Sequence, residues 1–130
     1  MSNHTFITFV DDYTRWVTVF FLKGKTGKYM QEALRRFIAH RGKPERLRSD
    51  NARELKFSLI EVCAQYGIML EFSVPYEHQQ NGVVERMGRT LCERAVAMLT
   101  HADLPSEFWP WAVQTAAYLR NLCPSSLAAV

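Results

Sequence analysis

Two acidic residues have the type and placement to bind a divalent cation. Asp50 follows RLRS, a short segment that predicts a strand, and Glu85 lies in the first turns of a long predicted helix. Carboxylate oxygens are hard ligands that suit Mg²⁺, and magnesium bound by acidic residues promotes reactions at phosphodiester bonds. The two acids are therefore compatible with phosphodiester chemistry, with Asp50 and Glu85 as candidate catalytic and metal-binding residues.

Each of these acids also has a plainer interpretation. An Asp after a strand commonly accepts hydrogen bonds from the backbone of the turn that follows. A Glu on a helix surface commonly pairs with a cation four residues on, here Arg89, and gains about 0.3 kcal/mol. From the residues alone, the turn interpretation of Asp50 is the better supported, and both roles of Glu85 stay open.

The elements that must position these acids form an α/β pattern. Short runs rich in β-branched and aromatic residues predict four strands, at 5–10, 16–22, 45–49 and 68–74. Apolar residues spaced by three or four predict helices at 29–40, 54–66 and 83–102 and a last one with Ser106 as its N-cap. The first two strands predict a hairpin, and the later strand–helix–strand order predicts a parallel pair in a mixed sheet.

The composition narrows the class of protein. The 130 residues are 48% hydrophobic and 22% charged, which is typical of a single globular domain. The net charge of +3 is compatible with a polyanionic partner. The three cysteines include no CxxC pair, so we expect neither a disulfide framework nor a zinc site, and we expect an intracellular location. No apolar run reaches the roughly 20 residues of a membrane span, so no membrane association is predicted.

Basic residues are concentrated between the first helix and the third strand. Six cations accompany a single acid, Glu45, and they are Arg35, Arg36, Arg41, Lys43, Arg46 and Arg48. The plainer interpretation is a solvated helix end, where cations also complement the helix dipole. The alternative is an edge that contacts phosphates. The sequence slightly favours the first interpretation.

Four motifs appear in order along the chain: RLRSDN, YGI, VPYEHQQNGVVERMGRTL and LPSEFWPWAVQTAAYLRN. In these motifs the chain resembles the integrase catalytic core of copia-type LTR retrotransposons. The resemblance covers residues 1–124 as a partial core and leaves 125–130 as a tail. It implies a ribonuclease H-like fold, with a mixed sheet flanked by helices, and a function in DNA integration as the polynucleotidyl transferase of a polyprotein.

The resemblance also assigns roles to the two acids. Asp50 and Glu85 match the second and third members of an Asp–Asp–Glu triad that binds Mg²⁺ or Mn²⁺. The first Asp of that triad lies on a strand before the segment TFITFV, so we expect the first strand to be missing and the chain alone to be inactive. The nearby Asp11 and Asp12 match the family's hairpin turn, and we interpret them as turn formers.

Further residues are expected to contact DNA. By resemblance, Gln79, Gln80 and Asn81 belong to the active-site loop before the long helix, and Arg89 lies one turn after the third acid. The implied partners are the retrotransposon ends, the target DNA and a second copy of the core. The implied location is the nucleus or a virus-like particle. The plainer interpretation of the loop is a flexible connector.

Three other functions remain open from the sequence. The chain is alternatively a degenerate remnant that binds DNA or dimerises without catalysis. A ribonuclease H-type nuclease on the same fold would need further acids around the first strand, and the sequence shows none. In a purely structural protein, every acid would be a turn or surface residue. Host, target-site preference, oligomeric state and expression are not encoded in these patterns.

Overall fold

The computed structural model describes residues 5–24, 26–50, 53–73 and 78–123, and it has the mixed α/β character that the sequence predicts. Strands and helices alternate along most of the chain. They are β1 (Thr5–Val10), β2 (Val17–Leu22), α1 (Gly27–Arg41), β3 (Arg46–Ser49), α2 (Arg53–Tyr66), β4 (Met69–Phe72), α3 (His78–Ala102), a 3₁₀ turn (Ser106–Phe108) and α4 (Trp109–Leu122).

The first two strands pair with each other through a tightly bonded turn. The Asp11 carboxylate accepts hydrogen bonds from the backbone N–H groups of Tyr13 and Thr14, both at 2.9 Å. Arg15 has a φ of +64° and donates from Nη1 to the carbonyl of Asp12 at 2.6 Å. Because so short a connection cannot join parallel strands, β1 and β2 form the predicted hairpin. Asp11 and Asp12 are turn formers, as predicted.

Strands β3 and β4 are parallel, and α2 connects them, which confirms the predicted pairing. The register runs from Arg46 opposite Met69 to Ser49 opposite Phe72. Within the described residues the strands form two pairs, β1–β2 and β3–β4, where the sequence predicts one mixed sheet. No described strand hydrogen-bonds to both pairs.

The chain divides into two compact units. The first contains residues 1–7 and 20–82, and the second contains 8–19 and 83–130. In the first unit, α1 packs on α2 with Leu34 and Val62 fully buried. A hydrogen bond of 2.9 Å from Arg35 Nη2 to Gln65 Oε1 joins the two helices at their surface.

Small and aliphatic side chains along one face of α3 and one face of α4 form the core of the second unit. Leu91 and Ala95 on α3 and Val113 on α4 are fully buried, as their helical spacing predicts. Val84 and Leu119, which the sequence also assigns to these faces, are 41% and 44% exposed. They lie at the margins of the faces, where a side chain is only partly covered.

Two side-chain amides of α4 contact the backbone of β2. Asn121 Oδ1 accepts a hydrogen bond from the N–H of Val17 at 2.9 Å, and its Nδ2 donates to the Val17 carbonyl at 2.8 Å. Two helical turns earlier, Gln114 Nε2 donates to the Val19 carbonyl at 3.2 Å. Asn121 thus satisfies both backbone groups of a strand residue, as a neighbouring strand would.

The structure corrects two predicted helix starts. Helix α3 begins at His78 instead of 83, so the residues predicted as an active-site loop have helical backbone. Gln is a good helix former, and an interior glycine is tolerated at a cost of about 1 kcal/mol. Ser106 is not an N-cap, because it opens the 3₁₀ turn and α4 begins at Trp109, with Pro110 in its first turn.

Candidate active site

Asp50 directly follows β3, at the carboxyl end of the parallel strand pair, and its side chain is exposed. Binding sites of α/β sheets typically lie beyond the carboxyl ends of the strands. The turn interpretation of Asp50 depends on residues 51 and 52. These lie outside the described residues, so that interpretation stays a prediction.

Ser73 fixes the end of β3 next to Asp50. Its backbone N–H donates to the Ser49 carbonyl at 2.9 Å, and its hydroxyl donates to the same oxygen at 3.3 Å. Ser73 is only 5% exposed, and it is the one polar side chain among the buried residues described. This role of Ser73 was not predicted. A small hydroxyl residue directly after a strand is the signal that could have shown it.

Glu85 lies on α3, and its side chain is exposed. Arg89 is also exposed and follows four residues later, on the same side of the helix. Among the described side chains, ion pairs join Arg15 to Asp12, and Arg46 and Arg48 to Glu71, but none joins Glu85 to Arg89. The role of Glu85, as a surface carboxylate or as a metal ligand, therefore stays a prediction.

The three predicted DNA-contacting residues before Glu85 lie at the start of α3. Gln79, Gln80 and Asn81 have helical backbone, while their side chains lie outside what the structure describes. The first four N–H groups of a helix have no partner within it and carry partial positive charge. The backbone here can thus bind anions, whatever the side chains do.

Asp50 belongs to the first compact unit and Glu85 to the second. Each position is consistent with the expected triad, and the meeting of the two carboxylates at one cation stays a prediction. Within the described ranges, no group of three or more His, Cys, Asp or Glu side chains is placed to hold a metal. The described residues therefore fit only part of a two-magnesium centre, which needs more oxygen ligands than two carboxylates supply.

Two of the three thiols do not offer an alternative nucleophile. Burial raises the pKa of Cys63 above its usual value, and burial together with the adjacent Glu93 carboxylate raises the pKa of Cys92. The thiolate is the reactive form of cysteine, so both shifts keep these thiols protonated and inert near neutral pH. Cys123 is exposed and lies just after α4.

Solved structures of other proteins show which fold the chain has. The chain is similar to the simian T-cell lymphotropic virus intasome in complex with PP2A regulatory subunit B56 gamma, with a TM-score of 0.70 and 22% identity over 88% of this chain and 41% of that one. It is also similar to the HTLV-2 integrase catalytic core domain in complex with magnesium, in its dimeric form. That match has a TM-score of 0.69 and 21% identity over 88% of this chain and 72% of that one. The fold is thus the ribonuclease H-like fold of integrase catalytic cores.

Sequence comparisons identify the family. The model of the integrase core domain matches residues 2–78, which include Asp50, and the chain belongs to that family. The Pol polyprotein of transposon TNT 1-94 from Nicotiana tabacum is 42% identical over 128 residues, and that of transposon RE1 from Arabidopsis thaliana is 32% identical over 130. These alignments cover 95% and 94% of this chain, which spans only 10% and 8% of the two polyproteins. The resemblance to retrotransposon integrases is confirmed.

None of the helices in the described part of the chain has the length and apolar character that crossing a bilayer requires.

Proposed function

We propose that this chain acts in DNA integration, as the polynucleotidyl transferase core of a retrotransposon integrase, in the nucleus or in a virus-like particle. The observation that carries the proposal is the integrase core match over residues 2–78, in which Asp50 stands exposed at the carboxyl end of a parallel strand pair. The reaction of this class is an in-line attack of a hydroxyl or water oxygen on a phosphodiester.

In this proposal Asp50 and Glu85 are the catalytic carboxylates and bind Mg²⁺ or Mn²⁺ through hard oxygen atoms. The HTLV-2 core, which shares the fold, was solved in complex with magnesium. The described residues hold no group of three candidate ligands. We therefore propose that the chain alone binds the cation weakly and does not join DNA ends.

The start of α3 is proposed to contact the retrotransposon ends and the target DNA. Gln79, Gln80 and Asn81 occupy its first turn, where unpaired backbone N–H groups favour a phosphate. Arg89 follows Glu85 by one turn and is exposed. A guanidinium at this position would bind a phosphate next to the carboxylate that holds the cation.

Magnesium-dependent unfolding tests the metal role of the two acids. A cation at ten times its dissociation constant stabilises the native state by about 1.4 kcal/mol. Asp50→Asn and Glu85→Gln should each remove most of this gain, whereas Glu93→Gln, an exposed acid on the same helix, should keep it. An equal gain in wild type and both variants would refute the assignment.

A joining assay tests the proposed incompleteness. The purified chain should not join a labelled DNA end to a target in Mg²⁺ or Mn²⁺. Joining should appear when a segment that carries a further Asp is fused before Met1. Joining by residues 1–130 alone would contradict the proposal.

We also propose that the chain self-associates through α4, whether or not it is catalytic. Trp111, Tyr118 and Leu122 are 67%, 65% and 63% exposed, and their spacing places them on one face of the helix. The HTLV-2 core was solved in a dimeric and in a trimeric form. Analytical ultracentrifugation should show a dimer that Trp111→Arg dissociates. An unchanged sedimentation coefficient in this variant would exclude α4 as the interface.

A further inference from the structure

Two arginines of β3 share one face of the strand. Arg46 and Arg48 are exposed, whereas the intervening Leu47 and the following Ser49 are half-buried. Side chains along a strand alternate between its faces, so both guanidinium groups project to the same side. Asp50, the next exposed residue, continues this alternation at the end of the strand. We call Arg46 and Arg48 the β3 arginine pair.

A single carboxylate serves both members of this pair. Glu71 on β4 lies 3.7 Å from Arg46 Nη1 and 3.6 Å from Arg48 Nη2. Both distances exceed the roughly 2.7–2.9 Å of a strong charge-assisted hydrogen bond. The side chains are 71%, 47% and 37% exposed, and ion pairs this open contribute little. The three groups together carry one net positive charge and keep unused N–H donors.

We propose that the β3 arginine pair binds the phosphate backbone of duplex DNA and leads that backbone towards Asp50; this inference rests on the proposed function in DNA integration. Residues two apart on a strand are separated by roughly 6.6 Å, which is comparable to the distance between neighbouring phosphates of one nucleic-acid strand. Each planar guanidinium can bind a phosphate through two N–H groups.

The β3 arginine pair lies close to Asp50 along the chain, and this gives its proposed contact with DNA a function. Arg46 and Asp50 are four residues apart, so their Cα atoms are separated by about 13 Å at most along an extended strand. A backbone held by the pair would thus pass within a few nucleotides of the acid. Such contacts fix the register of the DNA and carry no sequence information.

An acidic protein segment is the rival partner. Peptide ligands gain most of their affinity from side chains buried in pockets of the partner. The exposed face of β3 presents two guanidinium groups at a fixed spacing. Binding to a phosphate backbone requires little more than cations arranged in this way. The structure therefore favours DNA, and a polyglutamate probe separates the two.

The test measures the salt dependence of DNA binding. Binding to a labelled duplex is followed by fluorescence anisotropy in EDTA. Between 50 and 200 mM salt, wild type should lose about 12-fold more affinity than the double variant Arg46→Gln/Arg48→Gln. The reason is that each phosphate contact adds about 0.9 to the slope of log affinity against log salt concentration. Glu71→Gln should bind more tightly than wild type, because it removes the competing carboxylate. The matched control, Lys28→Gln/Arg94→Gln, removes two exposed cations elsewhere and should change the slope less.

Each outcome decides the proposal, provided that circular dichroism and thermal unfolding show every variant to be folded. Equal slopes for the arginine variant and its control would overturn the role of the β3 arginine pair and leave DNA binding itself intact. If wild type failed to bind duplex DNA, both this inference and the proposed function would fall. If Arg46→Gln/Arg48→Gln lost polyglutamate binding but kept DNA binding, the partner would be an acidic protein and the inference would be wrong.

Discussion

Replacing Asn121 with alanine should destabilise the second unit far more than its position near the end of a helix suggests. The Asn121 amide makes two hydrogen bonds to the backbone of Val17, at 2.9 and 2.8 Å. Val17 is only 2% exposed, so water has little access to its N–H and carbonyl groups. Alanine would leave both groups without the partner that they have now.

The expected loss follows from these contacts. A buried polar group without a partner costs about 1–3 kcal/mol. Asn121 is half-buried, so water can replace part of its contribution, and alanine is the better helix former by about 0.5 kcal/mol. We therefore expect a net loss of about 2 kcal/mol in the free energy of unfolding. For a chain of this size that corresponds to a fall of about 8 °C in Tm.

Urea unfolding followed by circular dichroism measures this loss. Thr115→Ala is the matched control, because Thr115 is an exposed residue of the same helix with a similar helix propensity. Gln114→Ala should fall between the two, since Gln114 makes one bond of 3.2 Å to Val19 and is itself exposed. Surface substitutions usually change the free energy of unfolding by less than about 0.5 kcal/mol. If the loss for Asn121→Ala differed from that of the control by no more than this amount, the Asn121 amide would not stabilise the packing of β2.

Two further predictions concern glycines and thiols. Gly42→Ala should lower the free energy of unfolding by about 1–3 kcal/mol, because φ of +90° with ψ of 166° is a backbone conformation that essentially only glycine adopts. The loss is not steric, since no atom would lie within 4 Å of the new methyl group. Gly88→Ala, in the interior of α3 with the same open space, should instead stabilise by about 0.5–1 kcal/mol, and urea unfolding that ranks the two alike would contradict this. Cys63 should resist a maleimide at pH 7–8 because burial raises its pKa, whereas the exposed Cys123 should react. Mass spectrometry that finds Cys63 labelled first in the native state would refute this.

Local periodicity made much of the fold predictable. The helical spacing of apolar residues in α3 predicts the burial of Leu91 and Ala95. The parallel pairing of β3 and β4 follows from the helix between them. The start of α3 was harder, since Gln79 and Gln80 are polar enough for a loop and equally suited to a helix. Patterns of this kind identify an element more reliably than its first residue.

The contacts that hold elements together were not predictable in the same way. Asn121 and Val17 are 104 positions apart, and Ser73 and Ser49 are 24 apart. No local pattern links such residues, because their meeting depends on how whole elements pack. For the same reason the sequence could single out Asp50 as a candidate acid but could not show that a serine anchors the strand end beside it.

The amide contacts of α4 make the two sides of the hairpin chemically unequal. At Val17 and Val19, groups of β2 that point away from β1 already have side-chain partners. Among the described strands, β1 pairs with β2 alone. At these two residues another extended segment, whether from the same polypeptide or from a neighbour, therefore cannot pair with β2. The helix thus protects this part of β2 from edge-to-edge aggregation.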